Sequence, residues 1–242
     1  MRIFKLLLPA SLYLCASFST IAVTNVQYSG VNNVQFFNES YSKPFAGNAF
    51  LIQAKNKLYA VTVKHTLFEA KTPEMETITI ENYVKEWRIH PNKKPDQYLK
   101  LGKLLNENIN EAIDNKILQK DWLVFEVLEN KSQLKVLKLR KTPVKAGEQL
   151  SAFGCTYANQ STCEQDNFQG SFIGYDNNNL RIAMANLDLR KLRGLSGSPV
   201  LDANEQVVGI VSNVLPSASG KGFDFAPASL SYLEEVLTEL DK

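Results

Sequence analysis

A short turn rich in small residues, with the sequence GLSGSP over residues 194–199, is the stretch most suited to carry a nucleophile. Ser196 stands between two glycine-containing pairs, and an apolar run follows Pro199. A nucleophilic serine needs its own N–H and a neighbouring N–H free to face a developing oxyanion, and small residues leave room for that approach. The turn predicts a nucleophile at Ser196 and an oxyanion hole formed by the N–H groups of Gly194 and Ser196. The alternative for these residues taken alone is an ordinary Gly- and Ser-rich hairpin turn.

A serine nucleophile needs a general base, most often a histidine that a carboxylate orients, and the chain holds only two histidines. His65 follows an alternating apolar run, which places it where a strand gives way to a loop or a short helix. His90 is followed by a proline, which indicates an extended edge segment, and we expect it to be structural. Asp121 directly precedes an apolar stretch and could be aimed at an imidazole from the start of a buried strand. It could equally be a strand-start aspartate with no partner.

Three segments together resemble the His, Asp and Ser blocks of the trypsin-like serine proteases, which have the chymotrypsin fold. They are residues 61–65 (VTVKH), 121–124 (DWLV) and 194–199 (GLSGSP). Their order along the chain is the order of that family and differs from the order in subtilisins and α/β-hydrolases. The resemblance covers most of the chain from about residue 47 to the C-terminus.

The resemblance implies an all-β fold of two six-stranded antiparallel β-barrels, with the active site in the cleft between them and a C-terminal α-helix. Residues 23–130 would form the N-terminal barrel, with His65 and Asp121. Residues 131–242 would form the C-terminal barrel, with Ser196, and the terminal helix.

The resemblance also implies the chemistry of a serine endopeptidase. Ser196 would attack a peptide carbonyl, His65 would carry the proton and Asp121 would orient the imidazole. Residues 212–214 (Ser212, Asn213 and Val214) match the strand that pairs with the substrate main chain in this family. The substrate is then a polypeptide, and no metal or organic cofactor is required. A catalytically inactive binding or adhesion protein on the same fold, and an esterase-type serine hydrolase, are the alternatives.

Some residues depart from the digestive members of the family. Leu195 stands where those enzymes carry an aspartate that pairs with a newly cut N-terminus, and no matching activation site is found. This indicates the bacterial-type branch, which resembles glutamyl endopeptidases and high-temperature-requirement proteases. Lys64 replaces the usual small residue before the histidine.

The residues that would set side-chain specificity allow two interpretations. Arg190 precedes the serine turn, and Phe223 lies in a segment that matches the opposite wall of the specificity pocket. A buried Arg190 would favour an acidic substrate side chain, unless Asp224 neutralises it or Phe223 fills the pocket. Alternatively, the basic residues form a solvated loop.

The first 22 residues have a basic start, a short apolar core and small residues, which predicts a secretory signal peptide and a secreted or periplasmic protein. Its removal takes away Arg2 and Lys5, so that 27 basic residues become 25 against 25 acidic ones. The near-neutral mature chain argues against nucleic acid or an anionic membrane surface as a partner, and no stable membrane span is expected. Cys155 and Cys163 remain, and an even pair in an exported chain predicts a disulfide.

Apolar patterning predicts many short strands, with hairpin tips near residues 55–57 and 175–179. Residues 104–118 carry apolar side chains at helix-like intervals, which predicts a short helix before Asp121. Residues 227–240 predict an amphipathic helix behind a serine cap.

Overall fold

The computed structural model of the chain describes residues 26–185, 188–217 and 220–242, so the predicted leader lies outside the described residues. The strands in the described residues before position 131 are β1 (Gly30–Phe36), β2 (Asn48–Ala54), β3 (Lys57–Thr62), β4 (Thr77–Ile78), β5 (Val84–His90), β6 (Leu99–Leu104), β7 (Asn108–Ala112) and β8 (Leu123–Asn130). The later elements are β9 (Val136–Leu139), β10 (Gln149–Gly154), β11 (Asp166–Asp176), β12 (Asn179–Ala183), α1 (Leu189–Leu192), β13 (Pro199–Leu201), β14 (Gln206–Pro216), β15 (Phe223–Ser229) and α2 (Ser231–Glu239).

Six of the early strands close into a first barrel. They pair in the order β1–β5–β6–β8–β3–β2, and β2 pairs back with β1. Every one of these pairings is antiparallel. The hairpin between β2 and β3 turns at Lys55 and Asn56, which have φ 46° and 64°. Two consecutive positive φ values are typical of the type I′ turn, whose twist matches that of the strands it joins.

Six later strands close into a second barrel. Their order is β14–β13–β10–β11–β12–β15, and β15 pairs back with β14, again with antiparallel pairings only. In β10, Leu150, Ala152 and Gly154 are buried and alternate with more exposed residues, which is the period of two that one buried sheet face requires. Strand β9 pairs in parallel with both β2 and β14 and so joins the two barrels. The predicted all-β fold with two six-stranded barrels and a C-terminal helix is confirmed, whereas the division of the chain at residue 131 stays a prediction.

Buried apolar side chains from both barrels, β9 and α2 form one cluster between the barrels. Phe50 and Trp122 come from the first barrel, Ile210 comes from the second, and Leu233 comes from α2. The indole N–H of Trp122 donates a hydrogen bond of 2.9 Å to the Ser229 carbonyl. Burying each large apolar side chain contributes about 1.5–3 kcal/mol. The cluster therefore fixes how the facing sides of the two barrels meet.

The helix predicted within residues 104–118 is only partly present. Residues 108–112 form β7, which pairs with β4, and the helical part is a 3₁₀ helix over Asn115–Lys120. Ile109 is 74% exposed, so its helix-like spacing did not mark a buried face. The Asp114 side chain accepts a hydrogen bond from the Lys116 N–H and starts the 3₁₀ helix there.

Helix α2 is amphipathic as predicted, with Leu233, Val236 and Leu237 buried. The predicted serine cap is wrong, because the N-cap residue is Leu230 and no side chain caps this end. Ser229 instead ends β15, where it pairs with Gly209. No helix in the described residues is long and apolar enough to cross a membrane.

Candidate active site

The histidine of the site lies just after β3. The strand ends at Thr62, Val63 remains extended, and a 3₁₀ helix runs over Lys64–Phe68. This tight turn directs the imidazole of His65 towards the cleft, and its side chain is 17% exposed. His90, the other histidine, ends β5, where its Nδ1 lies 2.9 Å from the carbonyl of the following proline.

The carboxylate of Asp121 is fully buried between the 3₁₀ helix Asn115–Lys120 and β8. Its Oδ1 accepts a hydrogen bond of 3.0 Å from the main-chain N–H of His65. Its Oδ2 lies 2.6 Å from Nδ1 of His65 and also accepts a hydrogen bond from the Ser212 hydroxyl. A buried carboxylate needs such donors to remain charged. They also hold it in one orientation against the imidazole.

Ser196 lies in the turn between α1 and β13, and its Oγ is 2.7 Å from Nε2 of His65. Asp121, His65 and Ser196 therefore form one continuous line of hydrogen bonds. Two glycines shape the turn, Gly194 with φ +92° and Gly197 with φ +83°. A Cβ on Gly197 would lie 1.9 Å from the Asn48 carbonyl oxygen, so no larger residue fits there.

Two main-chain N–H groups at this turn have no hydrogen-bond partner among the described residues. They belong to Gly194 and Ser196, whereas the N–H groups of Leu195, Gly197 and Ser198 all donate to carbonyl groups. The carbonyl of Arg193, in the same peptide as the Gly194 N–H, accepts a hydrogen bond of 2.8 Å from the Tyr157 N–H. That bond fixes the orientation of the peptide. These are the two N–H groups for which an oxyanion hole is predicted, and that role stays a prediction.

The pKa of His65 is raised above its ordinary value. Burial alone lowers it, because it disfavours the cation. The negative charge of Asp121, the hydrogen bond to Asp121 and the charge of Glu69 act in the opposite direction and prevail. The surroundings therefore stabilise the imidazolium form.

No protein-family model matches the sequence, and no curated protein matches it significantly. Among solved structures, the chain is similar to a Glu endopeptidase, with a TM-score of 0.55 and 16% identity, over 89% of this chain and 92% of that chain. It is also similar to a serine endoprotease from Yersinia pestis, with a TM-score of 0.55 and 14% identity, over 89% of this chain and 63% of that one. The chain thus spans less than two thirds of the Yersinia protein. It has the chymotrypsin-like serine protease fold.

Within this chymotrypsin-like fold, one buried residue that the sequence did not predict as part of the site contacts several of its segments. Asn48, at the start of β2, is 1% exposed. Its side-chain NH₂ donates to the carbonyls of Gly194 (2.7 Å) and Cys155 (2.9 Å), and its Oδ1 accepts from the Cys155 N–H. Its main-chain N–H donates to the Ser196 carbonyl at 2.7 Å. Asn48 therefore ties the first barrel to the serine turn.

The predicted disulfide between Cys155 and Cys163 is present and closes a short loop after β10. Tyr157 lies in this loop, and a Cβ on Gly194 would come within 2.7 Å of its ring. The Tyr157 hydroxyl donates a hydrogen bond of 3.1 Å to Glu69. The loop thus supplies one wall beside the serine turn.

The residues predicted to bind the substrate main chain lie on β14. Asn213 and Val214 pair with Ala226 and Phe225 of β15 along one edge of the strand. On the other edge, pairing with β13 ends at Ile210, and in the described residues no strand pairs with β14 beyond that point. Ser212, which starts this free edge, is the residue that donates to Asp121.

The two residues predicted for the specificity pocket lie near the surface. The Arg190 side chain is 92% exposed and pairs with Asp188 on the same turn, which is the solvated-loop arrangement. Phe223 is 50% exposed. Asp224, the third residue of that prediction, pairs with Arg181 at 2.7 Å. The structure therefore removes the basis for a preference for acidic side chains through a buried Arg190.

Lys64 is fully buried beneath the histidine turn. Its Nζ pairs with Glu111 of β7 at 2.6 Å and lies 4.6 Å from the centre of the Tyr232 ring on α2. A buried ammonium group requires such partners. The contact ties β7 and α2 to the turn that carries His65. Within the described parts of the chain, no group of three or more His, Cys, Asp or Glu side chains is placed to hold a metal ion.

Proposed function

We propose that the chain is an exported serine endopeptidase that hydrolyses peptide bonds through an acyl-enzyme intermediate. The observation that carries this proposal is the line of hydrogen bonds from Asp121 through His65 to Ser196, with distances of 2.6 and 2.7 Å. Polypeptide is the proposed substrate, in keeping with the endopeptidases to which the fold is similar.

In the first half of the reaction, Ser196 Oγ attacks the carbonyl carbon while His65 Nε2 takes the hydroxyl proton. The unpaired N–H groups of Gly194 and Ser196 bind the oxyanion, and each such donor is worth about 3 kcal/mol in comparable sites. Asp121 stabilises the imidazolium, which then gives its proton to the leaving amine as the C–N bond breaks. In the second half, water attacks the acyl carbon while His65 takes a proton from the water. His65 then returns this proton to Ser196 Oγ as the C–O bond of the acyl-enzyme breaks and the acid product leaves.

The free edge of β14 supports a peptide substrate. An extended peptide can pair with Ser212, Asn213 and Val214 as an added strand and so place its carbonyl at Ser196. The disulfide and the sequence of the first 22 residues support export to a periplasm or to the outside of the cell.

The first test is labelling of the purified mature protein with a fluorophosphonate, read by intact mass. We expect one adduct, which is lost in Ser196→Ala and His65→Ala. Ser198→Ala is the matched control, because Ser198 lies in the same turn but is fully buried, and it should keep the adduct.

Ser196→Ala should lower kcat for peptide hydrolysis by up to ~10⁶. Absence of an adduct on folded protein, or an unchanged rate in Ser196→Ala, would overturn the proposal, and turnover of simple esters without peptides would favour an esterase.

A further inference from the structure

A depression of about 160 Å³ opens beside the imidazole of His65. His65 and Ser196 line it together with Phe68, Glu69 and Tyr157. Arg193 and Gly194, at the serine turn, line it as well. All of these residues belong to the described part of the chain, and Phe68, Glu69 and Tyr157 were not among the predicted site residues.

The position of the depression indicates which part of a substrate would enter it. His65 Nε2 must give its proton to the leaving amine, so this amine has to lie within hydrogen-bond reach of Nε2. The acyl part of the substrate remains at Ser196 and at the unpaired N–H groups of the turn. A depression that both His65 and Phe68 line is therefore placed for the side chain of the residue that carries the leaving amine.

The chemistry of the depression favours a cation. Glu69 accepts a hydrogen bond from the Tyr157 hydroxyl, and within the described residues no Lys, Arg or His nitrogen lies within 4.0 Å of its carboxylate. Burial and the charge of Glu69 raise the pKa of Tyr157 to about 12, so this partner stays a neutral phenol. Phe68, which is 38% exposed, offers an apolar surface to the methylene stem of a long basic side chain.

We propose that this depression binds the side chain of the residue that follows the scissile bond, and that Glu69 gives it a preference for lysine or arginine. The proposal rests on the proposed function for the identity of the leaving amine. Arg193 also lines the depression, and its positive charge acts on Tyr157 against the effect of Glu69, so the preference is expected to be modest. The carboxylate of Glu69 thus selects the residue that begins the newly released peptide.

The binding test uses the Ser196→Ala protein and NMR titration with two tripeptide amides, Lys-Ala-Ala and Glu-Ala-Ala. Both carry the free amine that a released product would have, so they differ only in the first side chain, which is cationic in one and anionic in the other. We expect the lysine peptide to bind about five-fold more tightly, as one partly exposed ion pair allows. The added substitution Glu69→Gln should reduce this ratio to about one, and Glu69→Lys should invert it. Glu235→Gln, an exposed position on α2, is the control and should keep the ratio.

Equal affinities of the two peptides for the Ser196→Ala protein would overturn this proposal, whether or not the protein hydrolyses peptides. A second readout is a randomised peptide library cleaved by the protein with Ser196 intact, in which new N-termini should be enriched in lysine and arginine. Cleavage without this enrichment would contradict the role of Glu69 and leave the proposed function standing. Discrimination between the tripeptides without any cleavage or labelling would support the site and overturn the proposed function.

Discussion

Two carboxylates with different surroundings, those of Asp121 and Glu69, act on His65. Asp121 is fully buried and hydrogen-bonded to Nδ1, whereas Glu69 lies in the exposed turn that follows the histidine. Both raise the pKa of His65, and together they outweigh the effect of burial. A more basic imidazole is a better acceptor for the Ser196 proton, but it is protonated over a wider pH range. The operating pH of the site therefore depends on a residue outside the Asp–His–Ser line.

At the residue scale, we expect kcat/KM to fall as the pH decreases through a pKa above 6.5, the ordinary value for histidine, because only neutral His65 can accept a proton. Glu69→Gln should move this acidic limb to lower pH, since it removes one charge that raises the pKa. The measurement is kcat/KM, or the rate of fluorophosphonate labelling, between about pH 5 and 9. Glu235→Gln should leave the pH of the acidic limb unchanged. If Glu69→Gln also left it unchanged, the charge of Glu69 would not raise the pKa of His65 as argued.

The raised pKa of His65 also determines how pH affects the free energy of unfolding. A histidine whose folded pKa is raised is stabilised by folding when it is protonated. The contribution of His65 to the free energy of unfolding is therefore fully present below about pH 6.5 and is lost as the pH rises through the folded pKa. Catalysis needs neutral His65 and is favoured at higher pH, whereas the interaction of His65 with Asp121 stabilises the fold most at lower pH, where His65 is protonated.

The sequence predicted those residues of the site that have a distinctive type and distinctive neighbouring residues. His65, Asp121 and Ser196 each stand beside a strand or a glycine turn, and the structure brings them within hydrogen-bond distance of one another. Asn48 could not be found in this way, because one polar residue at the start of an apolar strand does not reveal whether it is buried. Glu69 was missed because its contacts come from Tyr157, which is 88 residues further along the chain.

At the element scale, the loop closed by Cys155 and Cys163 acts as a support for the serine turn. Its Tyr157 N–H holds the Arg193 carbonyl at 2.8 Å, and Asn48 holds both the N–H and the carbonyl of Cys155. The loop therefore keeps the peptide that contains the Gly194 N–H in one orientation. The disulfide is local in sequence, with a separation of 8 residues, but its effect reaches the predicted oxyanion hole.

We expect the double variant Cys155→Ser/Cys163→Ser to lose about 2–3 kcal/mol of stability, the chain-entropy estimate for so short a loop. In protein that is still folded, the rate of labelling at Ser196 should fall several-fold, because Tyr157 no longer holds the turn as firmly. Urea unfolding and labelling kinetics at low urea measure the two effects separately. Ser161→Ala, at an exposed position in the same loop, should change neither. An unchanged labelling rate in the double variant would mean that Asn48 alone orients the turn.

Elements that depend on local patterning were easier to predict than those that depend on distant pairing. Residues 149–154 have a regular alternation and form β10, whereas residues 108–112 form β7 only because β4 lies alongside. The helix-like spacing in that region was misleading because Ile109 and Ala112 are exposed, whereas Ile117, in the following 3₁₀ helix, is buried. A window of sequence cannot supply the pairing partner, which lies about thirty residues earlier.

At the scale of the whole molecule, the site exists only where the two barrels meet. His65 and Asp121 come from the first barrel, and Ser196 and Ser212 come from the second. The apolar cluster between the barrels contains side chains from both, together with Leu233 of α2. The resemblance that the three sequence blocks carry implied the two-barrel arrangement, but the shared cluster depends on packing between distant segments, which no single segment can predict.

We expect the barrels to unfold together, because the cluster between them would otherwise be exposed to water. Trp87 reports on the first barrel and Trp122 on the cluster, since both are buried and the chain has only these two tryptophans. In urea, the fluorescence of Trp122→Phe and of Trp87→Phe should each change over the same range of concentration as the loss of labelling at Ser196 in that variant. Each variant loses a buried hydrogen bond of its indole N–H, to the Ser229 carbonyl in Trp122→Phe and to Oδ1 of Asn32 in Trp87→Phe, so both midpoints should lie below that of the unchanged protein. If labelling disappeared while the signal of Trp87 remained native, the barrels would separate before they unfold, and the cluster would not hold the site together.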